Sequence, residues 1–131
     1  MSGLTYDQLI ISVTDHIDNN DKNRYFVALS GPPASGKSTI SENLAKDLSA
    51  NGYNSSILQM DGFHYDDLIL NEKNLLSKKG APETFDVMGL INFVSRLHKE
   101  DEVVIPIFDR SLELSRSSAV IISKNTKVII V

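Results

Sequence analysis

The chain has no cysteine, which excludes disulfides and thiolate metal sites and permits a cytoplasmic address. It has no surplus of positive charge either. Its 13 Lys and Arg stand against 17 Asp and Glu, a net charge of -4, and no basic stripe is present. Nucleic acid is therefore not an expected partner. Long apolar runs are missing, and the first residues lack a basic segment, so neither a signal peptide nor a membrane span is expected. No internal repeat or low-complexity tract stands out. What remains is ordinary: 41% hydrophobic and 23% charged residues over 131 positions, the make-up of one soluble globular domain spanning 1–131.

The stretch that organises the chain is Gly31-Pro32-Pro33-Ala34-Ser35-Gly36-Lys37-Ser38, followed by Thr39. It fits G-x-x-x-x-G-K-[ST], the loop that wraps a nucleotide's phosphates. Gly31 and Gly36 permit backbone conformations and close approaches that a Cβ would block. Successive N–H groups can then point at phosphate oxygens as an anion-binding nest. Lys37 is suited to neutralise β/γ-phosphate charge and Ser38 to take one Mg²⁺ position. The preceding run Tyr25–Ser30 is apolar enough for a buried parallel strand. Ile40, Leu44 and Leu48 then recur at four-residue spacing, and Asn51-Gly52 stops the predicted helix. Strand, glycine loop and helix come in the required order.

Before this unit, Thr5-Tyr6-Asp7-Gln8 reads as a capping box, and Leu9, Ile10, Val13 and Ile17 mark one face of a helix over 6–18. After it, Ser55–Met60 is a second short strand whose carboxyl end delivers Asp61-Gly62-Phe63-His64. Ligands in open α/β sheets sit beyond the carboxyl ends of strands. Asp61 is a candidate general base or Mg²⁺ ligand, or else a turn residue or helix cap. His64 is suited to orient or pack. Asp66 and Asp67 open a short helix through Leu70, and 71–86 is a long polar loop in which Lys78 and Lys79 are candidate anion contacts or else a solvated charge pair. Asp86 caps a helix whose Val87, Leu90, Ile91, Val94 and Leu97 share a face, with Gly89 a mild weakness. Val103–Phe108 is a strand in which Pro106 marks an edge or a bulge. At its end Asp109 could position a hydroxyl, and Arg110 or Arg116 could meet phosphate charge. A surface Asp–Arg pair is the alternative. Ala119–Ile122 and Val128–Val131 complete the strands, the last being a bare apolar run that reads as a cut end.

These residues resemble the P-loop small-molecule kinases that include uridine kinase, pantothenate kinase and phosphoribulokinase, most of all the fructose-transport kinase-like and uridine kinase-like members. The similar segments are Gly31–Thr39, Met60–His64, Lys79–Asp86 and Pro106–Arg110. The Lys79–Asp86 block is the most discriminating, since phosphate loops are shared by many unrelated enzymes. The resemblance implies a three-layer α/β P-loop core with a mostly parallel sheet built from strands near 25–30, 56–60, 103–108 and 128–131. It implies ATP and Mg²⁺ as cofactors, a small-molecule hydroxyl acceptor, Gly31–Thr39 on the ATP phosphates, and Asp61 at the catalytic acidic position. His64, Lys79, Asp109 and Arg110 are candidates for the acceptor. The family's metal-site glutamate and arginine-bearing lid are not present in these residues. The chain is thus expected to be the N-terminal portion of the family's domain. Two functions follow: phosphorylation of a hydroxyl on a sugar, nucleoside or vitamin precursor, or nucleotide binding without turnover. A sheet-completing partner, such as a second copy of the chain, is a third expectation. Neither Asn-Lys-x-Asp nor Leu-Ser-Gly-Gly-Gln occurs, which sets aside guanine-specific and transporter-type phosphate-loop proteins.

Overall fold

The computed structural model describes residues 5–19, 24–29 and 37–131, with 37 and 38 described by their backbone alone. It divides into two compact units, Met1–Ile57 with Asn125–Val131 and Leu58–Lys124.

The first unit begins with helix α1, Tyr6–Asp18, opened by the expected capping box. Thr5 Oγ1 accepts from the Gln8 N–H at 3.2 Å, and the Thr5 N–H donates to Gln8 Oε1 at 2.9 Å. Strand β1 is Tyr25–Val27, helix α2 Lys37–Ala50, strand β2 Ser55–Ile57 and strand β5 Val128–Ile130. Val13 and Ile17 of α1, Leu44 and Leu48 of α2, Tyr25 of β1 and Val128 and Ile130 of β5 form one buried cluster. Both helices therefore cover the same face of the sheet, because Val128 and Ile130 alternate to one side. Ile40, expected on that apolar stripe, is exposed instead. The Tyr6 hydroxyl donates to Asp47 Oδ2 at 2.5 Å, tying α1 to α2. Burial, aided by that carboxylate, pushes the Tyr6 phenol up to about 12. Gly52, at φ +91°, ends α2 in the left-handed conformation that glycine adopts without strain.

The sheet of this unit is fully parallel in the order β1-β5-β2. Tyr25 and Ser55 flank Val128, and Val27 and Ile57 flank Ile130. The run Val128–Ile130, expected as a strand of the sheet, is its fully buried central strand. Its unbroken β-branched pattern is what a parallel strand covered on both faces requires.

The second unit corrects the sheet expected from the sequence. Val103–Asp109 (β3) pairs antiparallel with Leu114–Ile122 (β4) as a hairpin, apart from the parallel sheet of the first unit. β4 also starts earlier than the expected 119. A bulge interrupts the register between Ile105 and Ile107, where Pro106 has no N–H to give to the ladder. On the facing strand Ser118 takes φ +51°. Helix α3, Asp67–Glu72, is capped by Asp66, and helix α4, Val87–Lys99, is capped by Asp86, whose side chain accepts from the Gly89 N–H. The expected long loop 71–86 is structured by 3-10 turns at Leu76–Lys78 and Pro82–Thr84. Among the described residues, no helix is long and apolar enough to cross a membrane.

Candidate functional site

The phosphate-loop candidates fall in the first unit. Gly31, Pro32, Pro33, Ala34, Ser35 and Gly36 lie outside the described residues, as do the side chains of Lys37 and Ser38. The backbone of α2 is helical from Lys37, and Thr39 is exposed in its first turn. That turn contains no acidic side chain. The positive end of the helix dipole is therefore not neutralised from within the helix, which suits an anionic ligand. The donor set Lys37, Ser38 and Thr39 fits a Mg²⁺-bearing polyphosphate, since it offers one cation and two hydroxyls and no competing carboxylate.

The remaining candidates fall in the second unit and gather at the β3–β4 turn. Asp61 stands in a 3-10 turn, Met60–Phe63, whose backbone is held from several sides. The Phe108 N–H donates to Gln59 Oε1 at 3.3 Å. A Cβ added at Gly62 would lie 3.0 Å from the Pro106 carbonyl oxygen and 3.3 Å from Ile107 Cα. Gly62 is thus needed for close approach to β3, rather than for the positive φ of an Asp-Gly turn. His64 Nδ1 lies 2.8 Å from the Asp61 carbonyl oxygen, and Ser115 Oγ lies 3.4 Å from the carbonyl oxygens of both Asp61 and His64. The turn is fixed, yet the Asp61 side chain is 48% exposed, and its cationic neighbour is Arg110, with Nη2 3.8 Å from Oδ2. Asp61 is thus a turn residue, as one of the two alternatives expected, while among the described hydrogen bonds its carboxylate caps no backbone N–H.

The Lys79–Asp86 block is bound to this turn. The Tyr65 N–H donates to Thr84 O at 2.9 Å and the Asp86 N–H to Phe63 O at 2.6 Å. His64 and Phe85 form an antiparallel bridge. Thr84 is buried, accepting from the Gly80 N–H and donating to Ala81 O. The block is a self-bonded loop that props the segment after Asp61.

His64 is packed against two aromatic rings. Its ring lies 4.1 Å from the Phe85 ring and 4.8 Å from that of Phe108. Because the Asp61 carbonyl can only accept, Nδ1 carries the hydrogen, and Nε2 of the neutral ring is an acceptor. Lys79, a candidate anion contact, is committed within the unit: Nζ sits 2.8 Å from Asp67 Oδ1 and also donates to the Glu113 carbonyl. Asp109 is likewise engaged. Its Oδ1 accepts from the Ser111 N–H, the Ser111 hydroxyl and the Leu112 N–H, shaping the hairpin turn. The Ser111 hydroxyl bond, more than the backbone donors and Arg116, holds its carboxyl below the usual range. Arg116 Nη1 lies 3.6 Å from Asp109 Oδ2, so the alternative of an Asp–Arg pair is realised there. Gln59, Gly62 and Ser115 were not singled out as site supports. Glycine directly after the acid was the one signal in the sequence that pointed toward them.

A family model described as chromatin associated protein KTI12 matches residues 26–110. Pantothenate kinase of Streptococcus mutans serotype c is 32% identical over 109 residues, covering 81% of this chain and 36% of that protein. The solved structure of a candidate fructose transport system kinase from Silicibacter sp. TM1040 superposes with a TM-score of 0.89 at 40% identity, covering 98% of this chain and 62% of that one. D-glycerate 3-kinase from Cryptococcus neoformans var. grubii superposes with a TM-score of 0.73 at 20% identity, over 98% of this chain and 52% of that one, a likeness of fold. The chain spans about a third of the length of the curated relatives it matches.

Proposed function

The chain belongs to the P-loop kinases, in the family whose model carries the description chromatin associated protein KTI12, and from that premise we propose that it phosphorylates a hydroxyl of a small metabolite from ATP. It shares the kinases' α/β core with a mostly parallel sheet. One observation carries the reading: the carboxylate of Asp61 is open to ligand while its backbone is locked by Gln59, Gly62, His64 and Ser115. A general base needs that combination of fixed position and free oxygen.

Asp61 takes the proton of the acceptor hydroxyl, whose oxygen bonds to the γ-phosphorus. The bond from that phosphorus to the β,γ-bridging oxygen breaks, and the electron pair leaves on ADP. Lys37 and the backbone amides of Gly31–Thr39 would hold phosphate charge, and Ser38 would be suited to hold Mg²⁺. When bound, Mg²⁺ neutralises charge on the β- and γ-phosphate oxygens. Sugars, nucleosides and vitamin precursors, pantothenate among them, are the acceptor classes that accompany this reading, and a cytoplasmic setting goes with it.

Calorimetric titration with Mg²⁺-ATP, followed by assay of acceptor-dependent ADP formation, tests the proposal. Lys37→Ala is expected to abolish saturable ATP binding. Asp61→Asn should retain binding and lower turnover by ~10²–10⁴-fold. Binding with no turnover on any acceptor would favour a nucleotide-binding module instead. A folded chain that binds no ATP would sink both readings.

A further inference from the structure

Lys79 has no part in the reaction proposed above, yet its bonds reach three elements of the second unit. Its Nζ lies 2.8 Å from Asp67 Oδ1 in the first turn of α3 and donates to the Glu113 carbonyl in the β3–β4 turn. It also stands 5.8 Å from the centroid of the Phe108 ring on β3. The Lys79 side chain is 20% exposed and that of Asp67 54%. A half-exposed ion pair contributes little by itself, so the contact with Asp67 is the lesser of the two bonds. The Glu113 carbonyl is the greater. Glu113 takes φ +55°, and a left-handed residue other than glycine persists only where its surroundings hold it. An ammonium on its carbonyl is such a hold, because a charge-assisted hydrogen bond is stronger than a neutral one.

We propose that Lys79 is a positioning residue, a latch that sets the β3–β4 turn and the Phe108–His64 stack around Asp61. The inference rests on the kinase reading for the role of Asp61 and on the contacts alone for the latch. Two routes run from Lys79 to Asp61. Along the turn, Glu113 closes the bend that Asp109 shapes through the Ser111 and Leu112 N–H groups. That bend carries Arg110, whose Nη2 lies 3.8 Å from Asp61 Oδ2. Across β3, the Phe108 ring beneath the ammonium lies 4.8 Å from the His64 ring, whose Nδ1–H donates to the Asp61 carbonyl. The Phe108 N–H meanwhile donates to Gln59 Oε1, directly before the turn that bears Asp61. An ammonium has three hydrogens and no acceptor, so Lys79 serves both oxygens at once. Without it Glu113 is free to leave its left-handed conformation, and both routes lose an anchor. A base displaced in this way slows the chemical step and spares ATP binding.

Three variants of the 131-residue chain test the latch. Lys79→Met keeps the apolar stem and removes the charge, and Lys79→Arg restores a cationic donor. Asp67→Ala removes the ion pair and leaves the bond to Glu113. Amide exchange of the ligand-free chain, followed by NMR, is expected to quicken about 10–100-fold at Phe108, Ser111 and Leu112 in Lys79→Met, the weight of one hydrogen bond to a charged group. The His64 ring signals should shift with it. Lys79→Arg should recover part of both changes, and Asp67→Ala should cause little of either. With fructose, uridine and pantothenate as trial acceptors, kcat of Lys79→Met should fall ~10–100-fold at unchanged Mg²⁺-ATP affinity, with partial rescue in Lys79→Arg. Unaltered exchange in Lys79→Met overturns the inference whatever the turnover. Altered exchange with unchanged kcat also overturns it, since Lys79 would then serve stability alone. So does a loss in Asp67→Ala equal to that in Lys79→Met, which would assign the effect to the ion pair. If Lys79→Met does not fold, Asp67→Ala decides: exchange and kcat near those of the unaltered chain uphold the latch on Glu113, and a loss of either overturns it. Absence of turnover in the unaltered chain, with exchange altered as expected in Lys79→Met, would defeat the kinase reading and leave the latch standing.

Discussion

In the unit of Met1–Ile57 with Asn125–Val131, seven buried side chains from two helices and two strands make one apolar cluster against a parallel sheet. In the unit Leu58–Lys124, the turn that bears Asp61 is held by a glutamine, a histidine, a serine and a glycine contact with the backbone of β3. The first arrangement is insensitive to small side-chain displacements, because apolar contact is non-directional. The second is directional, since each hydrogen bond fixes an angle as well as a distance. A scaffold needs the first kind of bonding, and a carboxylate that must be placed yet remain open needs the second.

The largest effect should come from the apolar side. Leu44 is fully buried in the cluster, and Leu44→Ala is expected to cost ~2–5 kcal/mol through lost transfer energy and the cavity left behind. Urea unfolding followed by circular dichroism measures it, and amide exchange shows whether protection of the second unit falls in step. A loss below 1 kcal/mol, far under the range for buried leucines, would mean that the cluster is loosely packed and the contrast between the units overdrawn. Next in size is Gly62→Ala. The new Cβ would press on the Pro106 carbonyl and on Ile107 Cα, which are backbone atoms and cannot rotate aside. The expected cost is about 1–3 kcal/mol of overpacking strain, with exchange of the Asp61–His64 amides accelerated. Under the proposed kinase reading, turnover should fall more than ATP binding. An unchanged stability would show that the turn is not braced by β3.

The same contrast explains what could be read from the residues alone. The capping box at Thr5, the left-handed stop at Gly52, the caps at Asp66 and Asp86 and the irregularity at Pro106 were all legible, because each is a local conformational rule. The partner of β3 was not. An apolar run announces a strand without saying which strand it meets, and the four-residue connection 110–113 carries no Asn-Gly or Gly-rich hairpin signal. Its bend comes from Asp109 gathering three donors and from Glu113 at φ +55°. The central place of β5 was equally hidden, since chain order does not give spatial order. Asp61 was legible as a position at the end of a strand segment, and the bonds of Gln59 and Ser115 that fix it were not, because side chain to backbone clamps have no period.

The smallest effect sharpens the comparison most, because its sign depends on a single hydrogen bond. Gly89 sits in the first turn of α4, where its N–H donates to Asp86 Oδ1 at 2.9 Å. A Cβ there would fall 2.3 Å from Asp86 Oδ2, so the glycine that seemed a mild weakness in the helix makes room for the cap. Gly89→Ala alone should be nearly neutral, as ~1 kcal/mol of helix propensity gained is offset by about 1 kcal/mol of cap lost. Asp86→Ala alone should lose the cap. In the Asp86→Ala background the clash has gone, and Gly89→Ala should stabilise. The double-mutant cycle is therefore expected to give a coupling of about 1 kcal/mol, read from thermal or urea unfolding of the four proteins. Additive effects would mean that Asp86 does not cap α4 in solution. The first turn of α4 would then be held by apolar contact, like the helices of the first unit.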